Sequence, residues 1–215
     1  MHRTQSGESL DQFSFHTHPV LVVEKFLSLE DRQFFRDGMA QATWTALRDL
    51  PQTSRDFPNS GNWEKAEIQP AQGRFLMDRL ALPCIKSYVE SFPNITGLHL
   101  GFSYYSYGAG DCLLTHDDTA QGGADSARAP RRRLAAVLYL HEEWHPDWGG
   151  ELIVYESRKG QADLGELRVS HCVAPRPGSL VIFSVPRYHR VCRVDPVAGA
   201  HKRLSIAGWF MTEHR

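Results

Sequence analysis

One short stretch, Leu113-Leu114-Thr115-His116-Asp117-Asp118, holds residue types that could do metal chemistry. The residues before His116 read as a β-strand, and in an extended chain residues i and i+2 project to one face. His116 and Asp118 would then point at one spot, with Asp117 turned away. A neutral imidazole and a carboxylate converging there make two-thirds of a 2-His-1-carboxylate site, the open-faced arrangement that suits ferrous iron and oxygen chemistry. A His-x-Asp triplet is short, and most such triplets are turn or surface residues. The assignment therefore depends on what the rest of the chain supplies.

A second histidine should come from a late strand. His189 is the candidate, after a strand entered through the tight turn Pro177-Gly178-Ser179, although a surface histidine beside arginines reads the same way locally. Two neutral nitrogens and one carboxylate leave three octahedral positions open, whereas a structural zinc site is closed by a fourth protein ligand. Three open positions suit a bidentate 2-oxo acid plus dioxygen. A dicarboxylic co-substrate also needs a cation for its distal carboxylate, preferably a guanidinium. Arg203 begins the last strand and shares a strand face with Ser205, so the pair could grip one carboxylate. An ordinary arginine at a strand end is the alternative.

The elements that must position these residues are mostly strands. His18 to Val23 reads as a strand, and Ser28 as the N-cap of a helix to about Ala42, with Glu30 and Asp31 favourable in its first turn. Residues 44 to 74 carry several prolines and glycines among polar residues and read as a long irregular connection of the kind that is often functional. A second helix over Phe75 to Phe92 is interrupted by Pro83. From Leu98 onward, seven or eight short strands with turn signals between them indicate an antiparallel sandwich or barrel. The predicted fold is mainly β, a jelly-roll or cupin-like double-stranded β-helix with the N-terminal helices packed on one sheet.

The 215 residues fit a single domain, 1–215, with a flexible tail over 1–16. A formal net charge of -1 gives no sign of a nucleic-acid or membrane partner. Four scattered cysteines, no Cys-x-x-Cys pair and no apolar leader indicate a cytoplasmic protein with reduced thiols. The run Arg131-Arg132-Arg133 either steers an acidic or peptide substrate or is a solvated strand edge.

From about residue 98 to the C-terminus the chain resembles the iron(II)/2-oxoglutarate-dependent oxygenases, in their prolyl-4-hydroxylase-like branch, and is most similar to the catalytic domain of ribosomal-protein prolyl hydroxylases. The resemblance is carried by the His116 stretch, by Arg132 to Leu140, by Trp148-Gly149-Gly150-Glu151-Leu152, and by Arg203 to Phe210. It implies His116, Asp118 and His189 as iron ligands and Arg203 as the holder of the distal carboxylate of 2-oxoglutarate. Tyr139 matches a tyrosine assisting Arg203, Tyr107 matches one near the metal-binding end, Ser205 is a second donor, and Trp209 a wall of the site. Iron(II), 2-oxoglutarate and dioxygen are the implied reactants, with ascorbate as a stimulant. The implied reaction couples decarboxylation of 2-oxoglutarate to succinate with hydroxylation of an unactivated carbon, a prolyl residue of a protein or peptide first of all. Asp118 argues against the halogenase variant, in which the carboxylate is replaced so that halide can bind the iron.

The resemblance leaves two other readings: hydroxylation of a free amino acid or natural-product intermediate, and a catalytically inactive β-sandwich that binds a partner. The ribosomal-protein members carry a second, degenerate β-barrel domain, which these residues do not include. The segment 119–130 is longer than expected beside the metal, and its glycines and alanines suggest a mobile lid over the substrate.

Overall fold

Backbone pairing begins at His2–Gln5 (β1), which lies parallel to Val20–Glu24 (β2), where a flexible tail was expected over 1–16. The structure, a computed structural model, describes residues 2–5, 14–92, 95–119, 131–156 and 164–212. The expected lid lies almost wholly outside the described residues, since 120–130 are not among them.

Helix α1 (Leu29–Gln41) starts at Ser28 as its sequence requires. The Ser28 hydroxyl accepts from the Asp31 N–H at 3.0 Å, and Asp31 Oδ2 accepts from the Ser28 N–H at 3.0 Å, a reciprocal cap that satisfies two otherwise orphaned donors. The expected irregular connection over 44–74 is instead a series of short elements. These are Trp44–Ala46 (β3), Pro51–Asp56 (α2), Glu64–Glu67 (β4) and the start of Pro70–Leu80 (α3). The prolines that read as breakers are helix starters here. Pro51, Pro70 and Pro83 each occupy the first turn of a helix, where a missing N–H costs nothing. Pro83 accordingly opens a separate helix, α4 (Pro83–Glu90), in place of one interrupted helix over 75–92.

The remaining strands are β5 (Ile95–Tyr107), β6 (Leu113–His116), β7 (Arg131–Tyr139), β8 (Leu152–Tyr155), β9 (Val169–Val173), β10 (Leu180–Ser184), β11 (His189–Val191) and β12 (Arg203–Thr212). They form an eight-stranded sheet in the order β1-β2-β10-β7-β12-β5-β4-β3 and a four-stranded sheet in the order β6-β11-β8-β9. Strand alternation divides the larger sheet's side chains between two cores. Leu21, Leu134, Leu138 and Ile206 pack outward against Phe35, Leu76 and Ile85 of α1, α3 and α4. Val22, Val137, Val181 and Phe183 pack inward against Leu152 and Val154 of the smaller sheet. Two facing sheets with helices on the outside of one is the expected jelly-roll. Strands buried on both faces explain the continuous apolar runs of β2 and β10. Among the described residues, no helix is long and apolar enough to cross a membrane.

Candidate functional site

Pairing of β6 with β11 sets His116 directly opposite His189, so the smaller sheet itself brings the two imidazoles together, with ring centroids 4.2 Å apart. Asp118 reaches the same point by a different route from the one strand parity predicts. β6 ends at His116, and Asp118 takes a left-handed conformation with φ 60, a region that aspartate tolerates better than most residues. The turn is held by Asp117, whose Oδ1 accepts from the Thr119 N–H at 2.9 Å and from the Thr119 hydroxyl. Asp118 Oδ1 then lies 3.4 Å from His116 Nε2, and Oδ2 lies 3.4 Å from His189 Nε2. One ligand atom from each of the three residues falls within 4.8 Å of the others.

The hydrogen bonds around this cluster suit it to a cation. His116 Nδ1 is 2.7 Å from the Leu114 carbonyl and His189 Nδ1 is 2.8 Å from the Arg187 carbonyl. A carbonyl can only accept, so each Nδ1 carries the proton and each Nε2 offers a lone pair to the cluster. Burial by itself raises the Asp118 pKa, but the hydrogen bond and charge that His116 offers when protonated, the charge of His189 and the Trp209 hydrogen bond outweigh it and hold the carboxyl at about 2. Burial, reinforced by His116 and opposed by Asp118, pushes His189 down to about 4. At neutral pH the aspartate is thus ionised and His189 neutral, the forms a divalent metal takes as ligands.

Trp209, expected only as a wall, donates its Nε1–H to Asp118 Oδ2 at 2.7 Å. The Arg132 guanidinium stacks over the Trp209 ring at 3.7 Å and comes within 3.9 Å of Asp118 Oδ1. Arg132 faces inward because the β7–β12 register shifts between Phe210 and Met211, a bulge that re-aims the side chain. Along the arginine run β7 pairs with β12 through Arg131 and Arg132, while its ladder with β10 begins only at Leu134.

At the other end of the cavity Arg203 is 1% exposed, and among the described residues no carboxylate lies within ion-pair distance of it. Its Nε donates to the Gly150 carbonyl at 2.8 Å. Nη1 and Nη2 lie 3.5 Å from the Ser205 hydroxyl and 3.4 Å from the Tyr139 hydroxyl, long enough to leave their donors available. Tyr139 and Tyr107 flank the guanidinium with ring centroids at 4.9 and 5.5 Å. Tyr107, expected near the metal, thus sits at the Arg203 end, since its strand register places it opposite Arg203. The cavity that joins both ends measures about 850 Å³, room for a small diacid and part of a second substrate.

Gly149 and Gly150, quoted in the sequence motif without a role, now have one. Both have φ 69, and a Cβ on Gly150 would stand 2.9 Å from Arg203 Cδ. Gly150→Ala is expected to lower affinity for a distal carboxylate about tenfold, through left-handed strain and displacement of the guanidinium. Titration of 2-oxoglutarate against the variant checks this, with metal affinity as the unaffected control.

His141 backs this end of the cavity. Its Nε2–H donates to the Pro175 carbonyl at 2.7 Å, its carbonyl accepts from Arg32 Nη1 at 2.7 Å, and its ring lies 4.8 Å from Trp144. Burial, opposed by the Pro175 hydrogen bond, pushes its pKa down to about 4. Because the unfolded chain then binds more protons, the stability that neutral His141 confers is complete above its unfolded pKa of about 6.5 and is lost as pH falls toward 4. The loss amounts to about 3 kcal/mol at most. Urea unfolding at neutral and mildly acidic pH should show a smaller drop for His141→Gln than for the wild type. Equal drops would remove His141 as the cause.

Residues missed from sequence come mostly from the 44–67 segment. Phe57 packs edge-on to His116 at 5.3 Å, Trp63 stacks on Tyr107 at 5.6 Å, and Lys65 lines the cavity. Tyr105 was within reach: it shares a strand face with Tyr107, and parity applied to that residue finds it.

Comparison with known proteins gives the family. A prolyl 3-hydroxylase OGFOD1 from Xenopus laevis is 36% identical over 124 residues, 54% of this chain and 21% of that protein. Its Mus musculus counterpart is 34% identical over 102 residues, 46% of this chain and 16% of that protein. The chain thus spans only a minor part of the length of these relatives. Among solved structures, a Pseudomonas putida prolyl-4-hydroxylase superposes with a TM-score of 0.61 at 23% identity, over 94% of this chain and 96% of that one. A Trichoplax adhaerens prolyl hydroxylase, solved with a hypoxia inducible factor peptide fragment, superposes at 0.61 with 18% identity, over 94% and 87%. These two likenesses speak for the fold. The family model of the 2OG-Fe(II) oxygenase superfamily matches residues 102–211, about half of the chain and the part that carries the histidine–aspartate cluster and Arg203, and the chain belongs to that superfamily.

Proposed function

We propose that the chain is an iron(II)- and 2-oxoglutarate-dependent hydroxylase acting on a prolyl residue of a protein or peptide. The observation that carries the reading is the pairing of two unsatisfied sites in one cavity. Three ligand atoms converge at one end, and at the other lies a buried arginine with no carboxylate within ion-pair distance among the described residues. A buried, unpaired cation is costly, and a bound carboxylate relieves that cost. His116, Asp118 and His189 would hold the iron, whose chemistry when bound is the oxidative decarboxylation of 2-oxoglutarate coupled to hydroxylation.

The chain's own residues do the rest. Gly150 anchors Arg203 by its Nε, leaving the two Nη atoms, with the Ser205 and Tyr139 hydroxyls, to take the distal carboxylate. Trp209 holds one oxygen of Asp118 so that the other faces the metal position. Val137, Phe183 and Ala207 give the cavity an apolar wall that limits water around the reacting carbon. The likeness of the Xenopus and mouse prolyl 3-hydroxylases supports a prolyl target. Four free cysteines fit a reducing compartment, and the reading places the activity in the cytoplasm.

The test has two stages. Anaerobic addition of iron(II) and 2-oxoglutarate should produce a weak visible charge-transfer band. Succinate release over a set of proline-containing peptides and free amino acids, with ascorbate present as a stimulant, should then be accompanied by the added mass of one oxygen on a peptide. A band without any peptide oxidation, together with turnover of a free amino acid, would replace the prolyl target by a small molecule.

A further inference from the structure

Three cations line the cavity: Arg203, Arg132 and Lys65. The first two have work. Arg203 faces the co-substrate position, and Arg132 is stacked on Trp209 beside Asp118. Lys65 has none: it is half-buried, and among the described residues no carboxylate lies within ion-pair distance of it. The cavity's carboxylates are engaged elsewhere. Asp118 serves the cluster, Asp117 is held by Thr119, and Asp56 accepts from Gln52 Nε2 at 2.9 Å.

The sheet register says where Lys65 stands. Lys65 pairs with Tyr105, Tyr105 with Ser205, and Ser205 with Tyr139, so these four side chains form one row across the inner face of the larger sheet. Ser205 and Tyr139 make the half of that row beside Arg203. Lys65 and Tyr105 make the other half, on β4 and β5, away from the Arg203 carboxylate position. The Lys65 ammonium lies 6.0 Å from the Tyr105 ring centroid, and the Tyr105 hydroxyl has no hydrogen-bond partner among the described residues. Burial, with Asp118 adding to it, pushes the Tyr105 pKa up to about 12, so the phenol remains a proton donor at neutral pH. An unpaired ammonium and a free phenolic O–H on one wall are complementary to an anionic oxygen.

We propose that Lys65 and Tyr105 form a subsite for a carboxylate that the protein or peptide substrate carries close to the residue being hydroxylated. The proposal rests on the hydroxylase reading above and narrows its substrate class to acidic segments. A half-exposed charge pair of this kind is worth about a tenfold preference.

The experiment moves a single aspartate along an otherwise neutral proline-containing peptide, each peptide matched by its asparagine counterpart, with the enzyme loaded with iron(II) and 2-oxoglutarate. At one position aspartate should exceed asparagine about tenfold in kcat/KM. That ratio should fall to about one in Lys65→Gln, invert in Lys65→Glu, and shrink in Tyr105→Phe. A ratio of one at every position in the wild type, or an unchanged ratio in Lys65→Gln, overturns the proposal. So does a rise in the 2-oxoglutarate KM as large as the loss of preference, which would assign Lys65 to the co-substrate. Failure of the hydroxylase reading looks different: no peptide yields succinate, whatever stands at position 65. In that event anaerobic binding of the same peptides, read by tryptophan fluorescence from Trp63 beside Tyr105, decides the subsite. Aspartate-dependent binding that is lost in Lys65→Gln sustains it, and its absence overturns it.

Discussion

Asp118→Ala is expected to abolish both the iron-dependent visible band and succinate formation, a loss of at least about a thousandfold in turnover, equivalent to about 4 kcal/mol. The size follows from the position of this carboxylate. It is the only anion in the ligand cluster, it lies 3.4 Å from both histidine Nε2 atoms, and its surroundings keep it ionised at neutral pH. Removing it takes away a ligand and leaves a divalent cation with two neutral imidazoles and no carboxylate in the cluster. Trp209→Phe provides the graded comparison. It keeps the ligand and deletes only the 2.7 Å hydrogen bond that orients it, which should cost about 10- to 100-fold in metal affinity. Metal binding measured anaerobically, followed by succinate release, separates the two. Succinate production surviving in Asp118→Ala would mean that the metal is held elsewhere.

Arg203→Ala carries the second large effect. A guanidinium that is 1% exposed and has no carboxylate within ion-pair distance among the described residues should bind a carboxylate strongly, and its truncation should weaken 2-oxoglutarate binding by about 100-fold or more. Metal affinity should be unchanged, because Arg203 touches none of the three ligands. The discriminating measurement compares 2-oxoglutarate with a 2-oxo acid that lacks the distal carboxylate. The wild type should favour the diacid strongly, and Arg203→Ala should lose most of that preference. Arg203→Lys should recover little, since an ammonium cannot keep the Nε bond to the Gly150 carbonyl while presenting two further donors. A variant with unchanged diacid preference would remove Arg203 from co-substrate binding.

The strands from Leu98 onward, the capped first helix and the jelly-roll class were legible because they rest on local rules: alternation, turn residues and a Ser28–Asp31 cap. The candidate ligands were legible as residue types at suggestive places along the chain. What misled was local too. Prolines at 51, 70 and 83 read as breakers, because only the folded chain shows them in the first turn of a helix. The short strands β3 and β4 have little pattern of their own and exist through pairing, β4 with β5 and β3 with β4.

The sequence by itself determined the donor types of the metal cluster, the cation for a diacid, and the strand face that Arg203 shares with Ser205. Those depend on residue identity and on a period of two, which a strand imposes without help. Tertiary structure decided the rest. His116 meets His189 because β6 pairs with β11, and Asp118 joins them through a left-handed turn, not through strand parity. Trp209 became a partner of Asp118, and a bulge turned Arg132 inward. Gly150 is held to glycine by its contact with an arginine 53 residues away, and the Lys65–Tyr105 wall arises from a register between two strands. Contacts between distant segments depend on which strands pair and in what register, and no local rule encodes that choice.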